Sequence, residues 1–116
     1  MHINRFTEAV AYEAPNHFGC TSLRLQGLDV SDTENFWVGL SHFLPGGGCE
    51  HEATPLEKVY VVLAGEITVI TDTDEVTLGP KDSCHIPANE ARSVANRGNE
   101  VASMVVVMPN PPGTGR

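Results

Sequence analysis

The stretch Val59-Tyr60-Val61-Val62-Leu63-Ala64-Gly65-Glu66 is followed by Gly79-Pro80-Lys81-Asp82 and Ile86-Pro87-Ala88. Its first five residues are an almost continuous apolar, β-branched run, stopped by a glycine. That is the signature of a buried strand entering a tight turn. Glu66–Thr71 alternates through Ile67 and Val69. Asp72-Thr73-Asp74 then supplies a hairpin turn before Val76 and Leu78. Cys84–Ile86 is a short strand ended by Pro87.

Working outward, the same grammar continues in both directions. Ser22–Gln26 alternates around Leu23 and Leu25, and Phe36–Leu44 is a longer run closed by Pro45-Gly46-Gly47-Gly48. Ser93–Ala95 and Val101–Met108 complete the set. Helical periodicity is weak, with at best one turn near Ser31–Asn35. Many short strands with regular turn signals predict an all-β sandwich or barrel. The glycine run is no phosphate loop, because no helix start or Gly-Lys-Ser/Thr follows it. It reads as a flexible turn at the mouth of a barrel.

At 116 residues, one domain is expected, with one core. Residues 1–34 are read as N-terminal strands and loop, 35–108 as the barrel core, and 109–116 as a flexible tail rich in Pro and Gly. The formal net charge of −8 excludes nucleic-acid and anionic-membrane partners, which need clustered Lys and Arg. No apolar run is long enough to span a bilayer, and no apolar leader is visible. Cys20, Cys49 and Cys84 are an odd count without zinc-type pairing, which predicts a reduced, cytoplasmic setting. Val101–Met108 is apolar on both parities. One face meets the barrel interior, and the other needs a cover, so a homodimer is expected.

These residues resemble the cupin superfamily, in particular its small single-domain members. The first motif of that family is a Pro-Gly turn, His-x-His, three or four residues, Glu, six residues and Gly. Pro45-Gly46 and Val59–Glu66 match its ends. The second motif is matched by Gly79-Pro80-Lys81-Asp82, Ile86-Pro87-Ala88 and Asn96. The resemblance spans roughly residues 35–108 and implies a double-stranded β-helix, or jelly-roll, barrel.

The resemblance also implies a metal, and here the sequence departs from it. Counting back from Gly65, Lys58 occupies the slot of the ligating Glu, Ala53 the second His slot and His51 the first. Arg92 occupies the His slot of the second motif. Lysine and arginine offer donors and no lone pair when charged, so no resident metal or other cofactor is expected. A second count, with a one-residue bulge, places Glu57 in the Glu slot. The uninterrupted match from Val59 to Glu66 favours Lys58 inward instead.

The candidate chemistry follows from that substitution. Lys58, if buried, is a base or amine nucleophile, one half of an ion pair with Glu50, Glu52 or Glu57, or a cation that binds the carboxylate or phosphate of a ligand. Arg92 is either a two-pronged clamp for a ligand carboxylate or a rim residue paired with Glu90. His51 is a candidate proton carrier. Tyr60, His42 and Trp37 are candidate pocket walls or ligand contacts. The expectation is a small organic, anionic ligand and a metal-independent isomerase- or lyase-type enzyme. The alternatives are a non-catalytic binding or sensor module, and a metalloenzyme with a shifted set including His51, Glu57 and Cys49.

Overall fold

The computed structural model describes residues 1–112. The single helical turn among them is a 3₁₀ turn at Phe6–Glu8. Nine strands follow: β1 (Ala11–Tyr12), β2 (His17–Gln26), β3 (Phe36–Glu52), β4 (Lys58–Ala64), β5 (Ile67–Thr71), β6 (Glu75–Leu78), β7 (Ser83–Ile86), β8 (Arg92–Ala95) and β9 (Ala102–Pro109). All pairings are antiparallel, in the order β6-β5-β8-β3-β9-β4-β7, with β2 on β3 and β1 on β2. The chain is an all-β, single-domain barrel of the expected jelly-roll type.

β3 is the strand that closes the barrel. Its first half pairs with β2 and β9, its last residues with β8. The glycine run therefore lies inside a strand and is not a flexible turn. Gly48 is buried, and a Cβ there would stand 2.0 Å from the Val94 carbonyl oxygen. Only the absent side chain lets β3 cross so close to β8. β2 starts at His17, earlier than its alternation indicates, because the register shifts between Phe18 and Cys20.

Strand periodicity sorts side chains to the two faces. On β4, Lys58, Tyr60 and Val62 are buried, while Val59 and Leu63 are exposed. On β8 and β9 the inward sets are Arg92 and Val94, and Ala102, Met104 and Val106. Phe43, Val62 and Ile67 are wholly buried, each contributing about 1.5–3 kcal/mol of burial. Asn96 is buried too. It donates to the Phe43 and Glu100 carbonyls at 2.9 and 2.8 Å and accepts from the Gly98 amide at 3.0 Å. It thus pins the β8–β9 turn and satisfies all its buried polar atoms. The proposed tail begins late: Pro109 closes β9, and Asn110 donates to the Thr33 and Glu34 carbonyls. Residues 113–116 of that reading lie outside the described residues. No helix among the described residues is long and apolar enough to cross a membrane.

Candidate functional site

Three polar side chains meet inside the barrel. Lys58 and Tyr60 stand two apart on β4, so they share its inner face. Arg92 reaches them from β8. They expose only 3, 3 and 4 % of their surfaces. The Arg92 Nε donates to the Tyr60 phenolic oxygen at 2.8 Å, whereas its buried Nη1 has no hydrogen-bond partner. Lys58 Nζ donates to Thr54 Oγ1 at 2.9 Å and to the Leu56 carbonyl at 3.3 Å. Both acceptors belong to the loop 53–57, which thereby holds the Lys58 head group. That loop is tied down in turn by the Asn89 amide, which donates to the Thr54 carbonyl at 2.7 Å.

Among the described residues, neither Lys58 nor Arg92 forms an ion pair. Glu52, opposite Arg92 in register, turns its carboxylate to Asn16 Nδ2 at 2.8 Å. Two cationic residues are therefore buried together without a contacting counter-ion, an arrangement that normally costs several kcal/mol per ion. The electrostatics respond accordingly. Burial, and after it the Arg92 guanidinium, pushes the Lys58 ammonium below the usual lysine range. Burial holds the Tyr60 phenol above its ordinary range, with Arg92 pulling the other way. Cys49, also in the core, has its thiol pushed up by burial against the pull of Arg92 and Lys58.

The other expected residues are dispersed. His51 is exposed on the outer surface, with Nε2 at 2.8 Å from Asp72 Oδ1 and Nδ1 at 3.3 Å from Ser93 Oγ. It is no neighbour of Lys58, which corrects its reading as the proton carrier. The register shift between Cys49 and Glu52 turns it outward. His42 is on the outer face as well, half-buried, with Nδ1 at 2.7 Å from Ser103 Oγ and its ring edge-on to Phe6. It therefore lines no interior pocket. Trp37 does face the core, but Tyr12 and Arg24 cover it, the Arg24 guanidinium sitting 4.8 Å from the Trp37 ring. The Arg24 cation also stacks on Tyr12, at 4.2 Å. Sequence reading missed this pair, because Leu23 and Leu25 carry the only apolar alternation on β2.

The shifted metal set does not assemble. Glu57 is exposed and pairs with His85 at 2.9 Å, His51 is outside, and Cys49 is inside. No group of three or more His, Cys, Asp or Glu side chains among the described residues could hold a metal ion. At the family's ligand positions, Lys58 and Arg92 present N–H donors and Ala53 a methyl group. This donor set does not fit a transition metal.

The arrangement can bind negative charge. Lys58, Arg92 and Tyr60 all carry N–H or O–H donors, and among the described residues Arg92 Nη1 has no acceptor.

Comparison with known proteins agrees with the barrel. The family model described as "Cupin domain" matches residues 39–108. A protein named beta-D-galactosidase Rv1717, from Mycobacterium tuberculosis (strain ATCC 25618 / H37Rv), is 43% identical over 111 residues, 96% of either chain. Among solved structures, the polyketide cyclase RemF from Streptomyces resistomycificus superposes with a TM-score of 0.85 at 18% identity, over 100% of this chain and 84% of that one. An RmlC-like cupin from Shewanella frigidimarina NCIMB 400 gives 0.80 at 14% identity, over 97% and 94%. At such identities the structural matches speak for the fold alone.

Proposed function

The chain belongs to the cupin family, and from that membership we propose that its barrel receives a small organic anion held by Arg92, without a metal ion at the centre. The observation that carries this reading is the Arg92 Nη1, buried and without an acceptor. An unmatched buried donor on a charged group is costly, and an oxyanion supplies both the acceptor and the counter-charge. A carboxylate fits the planar fork of the guanidinium best. Tyr60 is hydrogen-bonded to Arg92 and Lys58 feels its charge, so a molecule held by Arg92 has a phenol and an amine as neighbours. This suits an isomerase- or lyase-type enzyme. A sensor that only binds uses the same grip.

Entry requires the loop 53–57 to move, since it covers Lys58 through Thr54 and Leu56. Calorimetry with small carboxylates and their neutral amides tests the reading. Carboxylates bind, amides do not, and Arg92→Met abolishes the difference. Equal affinity for amide and carboxylate would sink it.

A second reading comes from the relative named beta-D-galactosidase, at 43% identity. Hydrolysis of a galactoside ordinarily uses two carboxyl groups flanking the bond. Glu52 is the carboxylate whose charge is felt by both Lys58 and Arg92. It has no partner acid in that cluster. Turnover of an aryl β-D-galactoside, lost in Glu52→Gln, would favour this reading over the first.

A further inference from the structure

We infer that the Lys58 amine condenses with the carbonyl carbon of a small oxo acid whose carboxylate is held by Arg92, an inference that rests on the anion-binding reading above. A hydrogen-bond inventory leads to it. An ammonium has three N–H donors and no lone pair; a neutral amine has two donors and one lone pair. Lys58 meets two acceptors, Thr54 Oγ1 and the Leu56 carbonyl. Among the described residues no third acceptor and no carboxylate is in contact with it. The Thr54 hydroxyl donates its own proton to the Leu56 carbonyl at 3.2 Å, so its oxygen is left to accept from Lys58. The surroundings thus match both donors of an amine and leave its lone pair free, whereas the third donor of an ammonium has no acceptor.

The neighbours strengthen this. Arg92 opposes a second positive charge in the same buried space. Desolvation beside another cation is a recognised way to activate a lysine as a nucleophile. Arg92 Nη1 has no acceptor. The Tyr60 oxygen accepts from Arg92 Nε, and no acceptor among the described residues takes the phenolic proton. One nucleophilic lone pair and two donors without an acceptor are therefore carried by three buried side chains, Arg92 hydrogen-bonded to Tyr60 and felt electrostatically by Lys58. An oxo acid complements them: the carbonyl carbon for the amine, and oxygens for the donors. A simple carboxylate uses only half of the set.

The step balances without a further reagent. The amine nitrogen bonds to the carbonyl carbon, and the carbon–oxygen bond breaks. The oxygen leaves as water, carrying both amine protons, and a C=N bond remains. The Lys58 hydrogen bonds to Thr54 and Leu56 must open as those protons depart, which couples the step to movement of loop 53–57. Once protonated on nitrogen, the imine accepts the electron pair released when a bond to the adjacent carbon breaks, giving an enamine, the step that imine-based isomerisations and lyase cleavages share.

The full chain offers a clean test, because it holds only two lysines, Lys58 and Lys81, and Lys81 is exposed. The protein is incubated with pyruvate, glyoxylate or 2-oxoglutarate and reduced with sodium borohydride, and intact mass and peptide mapping follow. One reduced adduct per chain is expected, on Lys58 and not on Lys81 or the N-terminus. Arg92→Met is expected to lower its yield by roughly tenfold or more. Absence of a Lys58 adduct with all three acids, or equal labelling of Lys81, overturns the inference. Calorimetry with lactate, which has no carbonyl to condense, separates the two readings. Lactate binding without an adduct removes the imine and leaves the anion site; no lactate binding and no adduct removes both. The mapping on the unmodified chain stands even if a Lys58→Met variant fails to fold.

Discussion

Arg92 spends its Nε on the Tyr60 phenol, at 2.8 Å, and nothing in the described chain accepts from its Nη1. The phenol therefore acts as a structural anchor. It holds the Nε edge of the guanidinium and leaves Nη1 without an acceptor.

Tyr60→Phe tests the anchor. The substitution keeps the ring in the core and removes the one acceptor of Nε. A second donor of a buried charged group is then stranded, which costs about 1–3 kcal/mol. Denaturant unfolding should show that loss. Tyr60→Phe combined with Arg92→Met should recover part of it, because the stranded charge is gone. A fully additive double variant would show that the bond is energetically idle.

Lys58 makes stability depend on pH in a definite direction. An unfolded lysine titrates at ~10.4, and in the folded chain burial and Arg92 push the value lower. Between the two values the unfolded state binds more protons at this site, so its contribution to stability rises with pH and levels off above ~10.4. Tyr60 and the cysteine thiols are shifted upward by burial and act oppositely at alkaline pH. The difference between the unmodified chain and Lys58→Met isolates the lysine. The unfolding free energy of the unmodified chain minus that of the variant should climb through this window. A flat difference would place the ammonium in a solvated setting.

The glycines of β3 give a matched pair. Gly46 has φ of +86° and open space where a Cβ would go, so Gly46→Ala should lose only the left-handed penalty, about 1–2 kcal/mol. At Gly48 the new carbon would meet the Val94 carbonyl oxygen at 2.0 Å, backbone that cannot rotate away. Gly48→Ala should cost ~3 kcal/mol or more, at the upper end for overpacking. Thermal unfolding of the two variants in parallel decides the order; equal melting temperatures would contradict the β3–β8 crossing.

What the sequence made legible, and what it hid, follows from the strands. The uninterrupted run from Val59 to Glu66 fixes the parity of β4, and so places Lys58 and Tyr60 inside and Glu57 outside. Arg92 follows from the second motif, counted from Ile86-Pro87. His51 was misplaced because the count back from Gly65 carries no record of the register shift between Cys49 and Glu52, and a bulge has no residue signature there. The Gly46–Gly48 run looks like a turn by composition. Its meaning is a close approach to β8, a tertiary fact that local propensity does not carry. Arg24 was invisible because a cation packed on Tyr12 and Trp37 interrupts no pattern that periodicity detects.

The outer face of the barrel leads to the last expectation, the oligomeric state. Register places Val59 beside Val107 and Val107 beside Val38; one step along, Val61 adjoins Val105 and Val105 adjoins Leu40. Two apolar rows thus run across β4, β9 and β3 on the side away from the barrel interior; Val59 and Leu63 at their edge are 37 and 51 % exposed, whereas Leu40 at the β3 end is already buried, so the open part of the patch lies on β4 and β9. A contiguous apolar patch on a chain of net charge −8 seeks a neutral partner surface, and a second copy of the same patch is self-complementary about a two-fold axis. Light scattering at micromolar concentration should report twice the 12.5 kDa chain mass. Val59→Lys, which sets like charges opposite each other across the axis, should shift the species toward the single chain while leaving the fold's circular dichroism unchanged. A monomer in the unmodified protein would show that the valine rows need no cover.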